Sequence, residues 1–284
     1  MLANLLHLHG FKCAGTTFIW SLERASGGKV LYVESPSSGA RLDWRLVEEH
    51  LREQAPLAVT SHLITLPPPG AVARLKVALL REPMARIASA YRFQTEVQDS
   101  LQPMPFAHYV EGLVRSTLSN YQTRHLSPQE AVDWQLRKGW AARPELIDLN
   151  REDLFVGLVE RYDESMVALE HQLEQMGMPM DLAYPEAKNS TRPVSQNGNG
   201  DRPEGRPQAM FVTELDLSLY KRAERRLEER LLAVPALEQR LGAFQQRRQA
   251  LAASPANIKL KPQAEWVCLP VADLRGGELV NQPG

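Results

Sequence analysis

The sequence has little cysteine, little net charge and no long apolar run. Two cysteines in 284 residues, Cys13 and Cys268, cannot build a disulfide scaffold, and neither sits at metal-ligand spacing. A formal net charge of -1 gives the whole molecule no pull toward nucleic acid or an anionic membrane, so any anion site must be a local cluster. No stretch reaches the ~18 uninterrupted apolar residues that a transmembrane helix needs. The N-terminal run "MLANLLHLHG" lacks a basic leader and contains two histidines, so it reads as a strand rather than a signal peptide. These absences set a cytoplasmic protein with no integral membrane segment and no nucleic-acid partner as the default expectation. The composition, 43% hydrophobic and 24% charged, allows one large α/β domain with a substantial core.

Short apolar runs alternate with helical patterns. Strands are expected at Asn4–His9, Lys29–Glu34, Leu57–His62, Leu75–Leu80 and Asp153–Glu160. Helices are expected over Thr16–Ala25, Leu42–Glu53, Arg81–Gln94, around Phe106–Ser119 and Gln129–Gly139, and over Tyr162–Gly177. That alternation predicts a three-layer, P-loop-type α/β fold with a mostly parallel sheet flanked by helices. "NSTRPVSQNGNGDRPEGRPQ" (189–208) reads as a loop with mobile parts. Thr213–Ala252 reads as helix interrupted near Pro235, with an apolar stripe of Leu219, Ala223, Leu227 and Leu231. Its alternating arginines and glutamates read as a solvated face. The expected domain therefore spans 1–252, followed by an extension, 253–284, of no evident period.

"HGFKCAGTT" (His9–Thr17) almost spells the nucleotide loop G-x-x-x-x-G-K-S/T. Gly10, Gly15 and Thr17 fit, but Thr16 stands where the lysine belongs and Lys12 lies inside the loop. A strand feeding a helix through two glycines aims backbone N–H groups at an anion, and Thr16 and Thr17 add hydroxyls. "LLREPMARIASAYRF" puts Arg81 at a strand end and Ser89 eight residues on, in the following helix. Ligands of open α/β sheets sit beyond the carboxyl ends of the strands, so Arg81 is aimed at the same edge as Lys12. Guanidinium with a nearby hydroxyl suits a phosphate monoester. The plainer readings are a surface lysine in a glycine turn, a salt bridge from Arg81 to Glu82, and Ser89 as a small packing residue.

These two motifs together resemble the sulfotransferase superfamily that uses 3′-phosphoadenosine 5′-phosphosulfate (PAPS), in its carbohydrate-type branch with heparan sulfate 2-O-sulfotransferases and bacterial relatives. That branch carries H-x-P-K-T/C-G/A-G-T-S/T and L-R-E/D-P-x-x-R-x-x-S-x-Y. "SNYQTRHL" (119–126), "VGLVERYDESM" (156–166), "KNSTRP" (188–193) and "ELDLSLY" (214–220) resemble its later segments, in order. Two positions depart: Phe11 replaces the usual proline and Ala14 a usual glycine.

The resemblance implies PAPS as co-substrate, 3′-phosphoadenosine 5′-phosphate (PAP) as product, and a hydroxyl-bearing acceptor, a saccharide if the likeness extends to the branch. It implies Lys12, Cys13, Ala14, Gly15, Thr16 and Thr17 around the 5′-phosphosulfate, with Lys12 stabilising the leaving phosphate. It puts Arg81 and Ser89 on the 3′-phosphate, and Asn189, Ser190 and Arg192 over the donor. His62, just past the third strand, is the implied general base; the plainer reading is a hydrogen-bonded structural histidine. His7 and His9 read as structural, facing one side of the sheet. Asn120, Gln122 and Arg124 line the acceptor site or brace the donor, and Trp134, Trp140 and Tyr91 either stack on a sugar or belong to the core. No metal is expected. A P-loop kinase of a small hydroxyl compound and a non-catalytic nucleotide- or partner-binding protein are the competing classes.

Overall fold

A computed structural model describes residues 3–35, 42–97, 104–116, 118–128, 144–185, 207–253, 260–262 and 265–269. The chain forms a six-stranded sheet in the order β5-β4-β1-β3-β2-β6, in which every pair is parallel. The strands are β1 (Ala3–Leu8), β2 (Val30–Glu34), β3 (Ala58–Ser61), β4 (Ala73–Leu80), β5 (Leu154–Leu158) and β6 (Val267–Cys268). The helices are α1 (Gly15–Ser26), α2 (Trp44–Gln54), α3 (Pro83–Arg92), α4 (Phe106–Gly112), α5 (Tyr121–Leu126), α6 (Tyr162–Gln175), α7 (Pro207–Leu232) and α8 (Leu237–Ala253). This is the expected α/β architecture with a parallel sheet flanked by helices. The expected helix around Gln129–Gly139, with Trp134 and Trp140, and Asn189, Ser190 and Arg192 lie outside the described residues.

The central strand explains the rest. β1 is buried on both faces: Leu5, Leu6 and Leu8 are fully inaccessible, as a strand between two helix layers must be. Its register sets Leu8 beside Ser61 on β3 and Ala78 on β4. Three strands thus end together, and the segments that leave them, His9–Ala14, His62 and Arg81, share one edge.

Two helix starts follow the local chemistry. The Glu82 carboxylate caps α3 by accepting from the amides of Met84 and Ala85, and Pro83 occupies the first turn, where its missing N–H costs nothing. α7 begins at Pro207, six residues before the expected start at Thr213 and inside the stretch read as loop. The reason is packing: Ala209 and Val212 bury against Ile87, Tyr109, Val110 and Leu113 in a second core under α3 and α4.

The arginines of α7 and α8 are less solvated than their alternating pattern predicts. Arg222 donates to the carbonyls of Pro144 and Ile147, and Arg230 to Leu154 O. Arg247 pairs with Glu170 and Asp181, and Arg248 with Asp163. These charges fasten both helices to α6 and to the start of β5. Alternation of sign shows that partners exist, but not that they sit on another element.

The C-terminal residues also join the sheet. β6 pairs with β2, Trp266 stacks on Tyr32 with centroids 5.7 Å apart, and Lys261 Nζ donates to Val30 O. No helix among the described residues is long and apolar enough to cross a membrane.

Candidate functional site

The loop between β1 and α1 is bent by two left-handed residues, Lys12 (φ 63°) and Ala14 (φ 57°). Neither is glycine, so each conformation costs ~1–3 kcal/mol that the surroundings must offset. The bend ends at Gly15, the first residue of α1; the Thr17 and Phe18 amides donate to Ala14 O, and those of Gly15 and Thr16 come too early for an acceptor inside the helix. Gly15 is required sterically: a Cβ there would lie 1.9 Å from His9 Nε2. The His9 ring therefore presses against the start of α1.

Three cations converge on this loop. Lys12 is half-buried, with its ammonium 4.1 Å above the Phe93 ring. Burial, then Arg81, then Arg92 hold the Lys12 ammonium below its ordinary range. Arg81 lies just past β4 and its Nη1 donates to Lys12 O at 3.4 Å. Burial, offset by Glu160 and deepened by Arg92, lowers the Arg81 guanidinium likewise. Arg92 was not singled out in the sequence. It follows Ser89 by three residues on α3, a spacing that puts both on one side of a helix. Ser89 itself is buried.

Gln122 explains why Arg81 and the loop stay together. Its Oε1 accepts from the Arg81 amide at 2.7 Å and from the Cys13 thiol at 3.4 Å, and its Nε2 donates to Arg81 O at 2.9 Å. Asp216, fully buried on α7, accepts from the amides of Gln122 and Thr123. Asn120 Oδ1 accepts from the amides of Leu215 and Asp216. Asn120 and Gln122 thus tie α5 to α7, to Arg81 and to the loop between β1 and α1.

Cys13 is buried, and burial pushes its thiol up to about 12. It stays protonated and turned toward Gln122, so only its backbone is offered to a ligand. Thr17 is buried in the first turn of α1, and Thr16 beside it is partly exposed. Phe11, in the place of a proline, donates its amide to Tyr121 Oη at 3.1 Å. Proline has no such donor, so the substitution adds a tie between the loop and α5.

Behind the loop is a run of histidines. His7 and His9 stack at 4.9 Å, and His9 stacks on His62 at 3.7 Å. As expected, His7 and His9 lie on one side of the sheet, His9 just past the end of β1. Burial lowers all three, His7 to about 3. His62 Nδ1 lies 2.9 Å from His9 O, an acceptor, so Nδ1 carries the hydrogen and Nε2 the lone pair. Neutral His62 thus has its basic nitrogen on the side away from the backbone.

Glu34 is the second residue the sequence reading missed. It ends β2, its Oε1 accepts from the His62 amide at 3.0 Å, and burial raises its carboxyl to about 7. The signal was available: a lone carboxylate closing an apolar strand at the edge where Lys12, His62 and Arg81 emerge. Among the described residues there is no cluster of three or more His, Cys, Asp or Glu that could hold a metal.

No protein-family profile matches the chain, and no curated protein sequence matches it. Among solved structures, a sulfotransferase from Alicyclobacillus acidocaldarius is similar, with a TM-score of 0.39 and 12% identity over 80% of this chain and 96% of that one. A likeness of that size leaves the function to be argued from the site.

Proposed function

We propose that this chain is a PAPS-dependent sulfotransferase that sulfates a hydroxyl. One observation carries the reading: Lys12, Arg81 and Arg92 crowd one strand-end edge against their mutual repulsion, beside the N-terminus of α1. Such crowding suits a ligand with several negative charges at separated points, as PAPS has. The residues fit that donor. Lys12, Gly15, Thr16 and Thr17 would hold the 5′-phosphosulfate, with the backbone of Cys13 and Ala14 shaping the cradle. Arg81 and Ser89 would hold the 3′-phosphate, and Asn189, Ser190 and Arg192 would close over the nucleotide.

The donor supplies the sulfuryl group. A bond forms between the acceptor oxygen and sulfur while the bond from sulfur to the bridging oxygen breaks. Lys12 stabilises the charge that develops on the leaving phosphate. The acceptor's proton passes to a base at the same edge. His62 Nε2 has the lone pair for it, and Glu34, poised near neutrality, is the alternative. The acceptor we assign is a saccharide hydroxyl, on the branch resemblance.

Thermal melting with PAP or with ATP and Mg²⁺ tests the reading. PAP should raise Tm and ATP should not. Stabilisation by ATP and Mg²⁺ alone would instead favour a kinase.

A further inference from the structure

The opposite edge of the sheet has a second charged feature. An open cleft of about 510 Å³ lies where β4 and β5 begin, walled by the later turns of α6 and α7. Arg74, Arg226, Arg230, His171 and Gln172 line it. Arg74 is the second residue of β4 and Arg81 follows its end, so the strand separates the cleft from the Lys12 loop by roughly 23 Å at ~3.3 Å per residue. Its volume falls in the range of small-molecule sites.

The cleft's cations are under-compensated. Arg226 and Arg230 stand four residues apart on α7, hence on one face. Arg230 is largely buried, yet its acceptors are neutral: Gln172 Oε1 at 3.0 Å and Leu154 O at 2.5 Å, with its guanidinium 4.7 Å from the Phe155 ring. Burial and the neighbouring Arg226 hold Arg230 down at about 10. Buried cations are ordinarily matched by an anion. Arg226 pairs with Glu229, an exposed contact of small energetic weight, and its Nε has no partner. Both His171 ring nitrogens also lack a hydrogen bond; the nearest carboxylate oxygen, on Glu174, is 3.9 Å from Nδ1.

Two carboxylates border the cleft. Asp153 is committed elsewhere, accepting from Lys76 at 2.8 Å, Arg151 at 2.9 Å and the Gly70 amide at 3.0 Å. Glu152 is exposed. With Asp153 committed, Arg74, Arg226 and Arg230 still outnumber the two remaining carboxylates, Glu152 at the cleft and Glu229 beside Arg226.

We propose that this cleft binds the oxyanion head of a small phosphate or sulfate monoester, held by Arg226 and Arg74 with Arg230 behind them and His171 beside it. The site is separate from the proposed donor site and does not depend on that reading. A ligand here touches none of the residues assigned to chemistry, so any influence on turnover is indirect.

The probes are phenyl phosphate and phenyl sulfate, titrated by calorimetry into a Lys12→Ala, Arg81→Ala double variant in which the loop edge is disabled. At least one probe should still bind, and the tighter one names the head group. Adding Arg226→Gln or Arg74→Gln should weaken that binding about tenfold or more, with Arg226→Lys recovering part of it. In the wild-type protein the His171 ring resonances should shift on titration. The proposal is overturned if neither probe binds the double variant. It is equally overturned if binding ignores both Arg226 and Arg74, or if the His171 signals stay still.

Discussion

Gln122 grips Arg81 through both ends of its amide: Oε1 accepts from the Arg81 N–H at 2.7 Å, and Nε2 donates to the Arg81 carbonyl at 2.9 Å. The same Oε1 accepts from the Cys13 thiol of the loop between β1 and α1. One side chain on α5 thereby fixes the distance between the two halves of the proposed donor site. Gln122→Ala would leave buried backbone groups unpaired at ~1–3 kcal/mol each. The expected outcome is a Tm drop together with weaker PAP binding, whereas Gln122→Glu should keep the acceptor and lose the donor. Melting curves and PAP titrations of both variants check this.

Phe11→Pro would restore the residue usual in the family the loop resembles. It should nonetheless destabilise this chain by ~1 kcal/mol, because the bond to Tyr121 Oη is lost. Tyr121→Phe should cost a similar amount. If Phe11→Pro proves neutral while Tyr121→Phe does not, the bond is not what Phe11 contributes.

The two loop positions beside Lys12 should behave in opposite ways. Ala14→Gly suits a left-handed residue and should stabilise or leave unchanged, within ~1 kcal/mol. Gly15→Ala drives a Cβ into the His9 ring, so it should destabilise sharply and abolish PAP binding. Denaturant midpoints for the pair decide the matter.

The buried histidines predict an acid-sensitive fold. His7 titrates near 3 when folded and near 6.5 when unfolded, so the unfolded chain takes up protons first as pH falls. Stability from His7 is therefore complete above about 6.5 and declines by ~1.4 kcal/mol per pH unit down to about 3. Glu34, raised to about 7, acts in the opposite sense, adding stability as pH falls from 7 to 4.5. On going from pH 7.5 to 5.5, the change in urea midpoint should be less favourable in Glu34→Gln than in the wild type and more favourable in His7→Gln.

Glu34 also makes a kinetic prediction. If it is the base, kcat/KM rises through pH about 7 as the carboxyl ionises, and Glu34→Gln removes the rise along with most of the rate. If His62 is the base, Glu34→Gln retains activity and His62→Ala does not.

The strands and their common edge were legible because buried parallel strands leave apolar runs, and Gly10, Lys12 and Arg81 close two of them. Glu34 and Arg92 escaped notice because each belongs to the site only through its neighbours: the His62 amide for one, Lys12 and Arg81 for the other. Sequence spacing hints at both but cannot rank them above other charged residues. The start of α7 was misread for a related reason. Ala209 and Val212 are helical because a second core waits for them, and nothing local in a Pro- and Gly-rich stretch announces that.

The central claim is that the Lys12 loop and Arg81 form two anion sites on one edge, and one set of calorimetric titrations tests it. Wild-type protein should bind PAP more tightly than AMP, which lacks the 3′-phosphate. Arg81→Ala should weaken PAP by roughly 10- to 100-fold, the scale of a lost charged hydrogen bond, and barely change AMP. Equal affinity for PAP and AMP in the wild type, or equal losses for both in Arg81→Ala, would contradict the account.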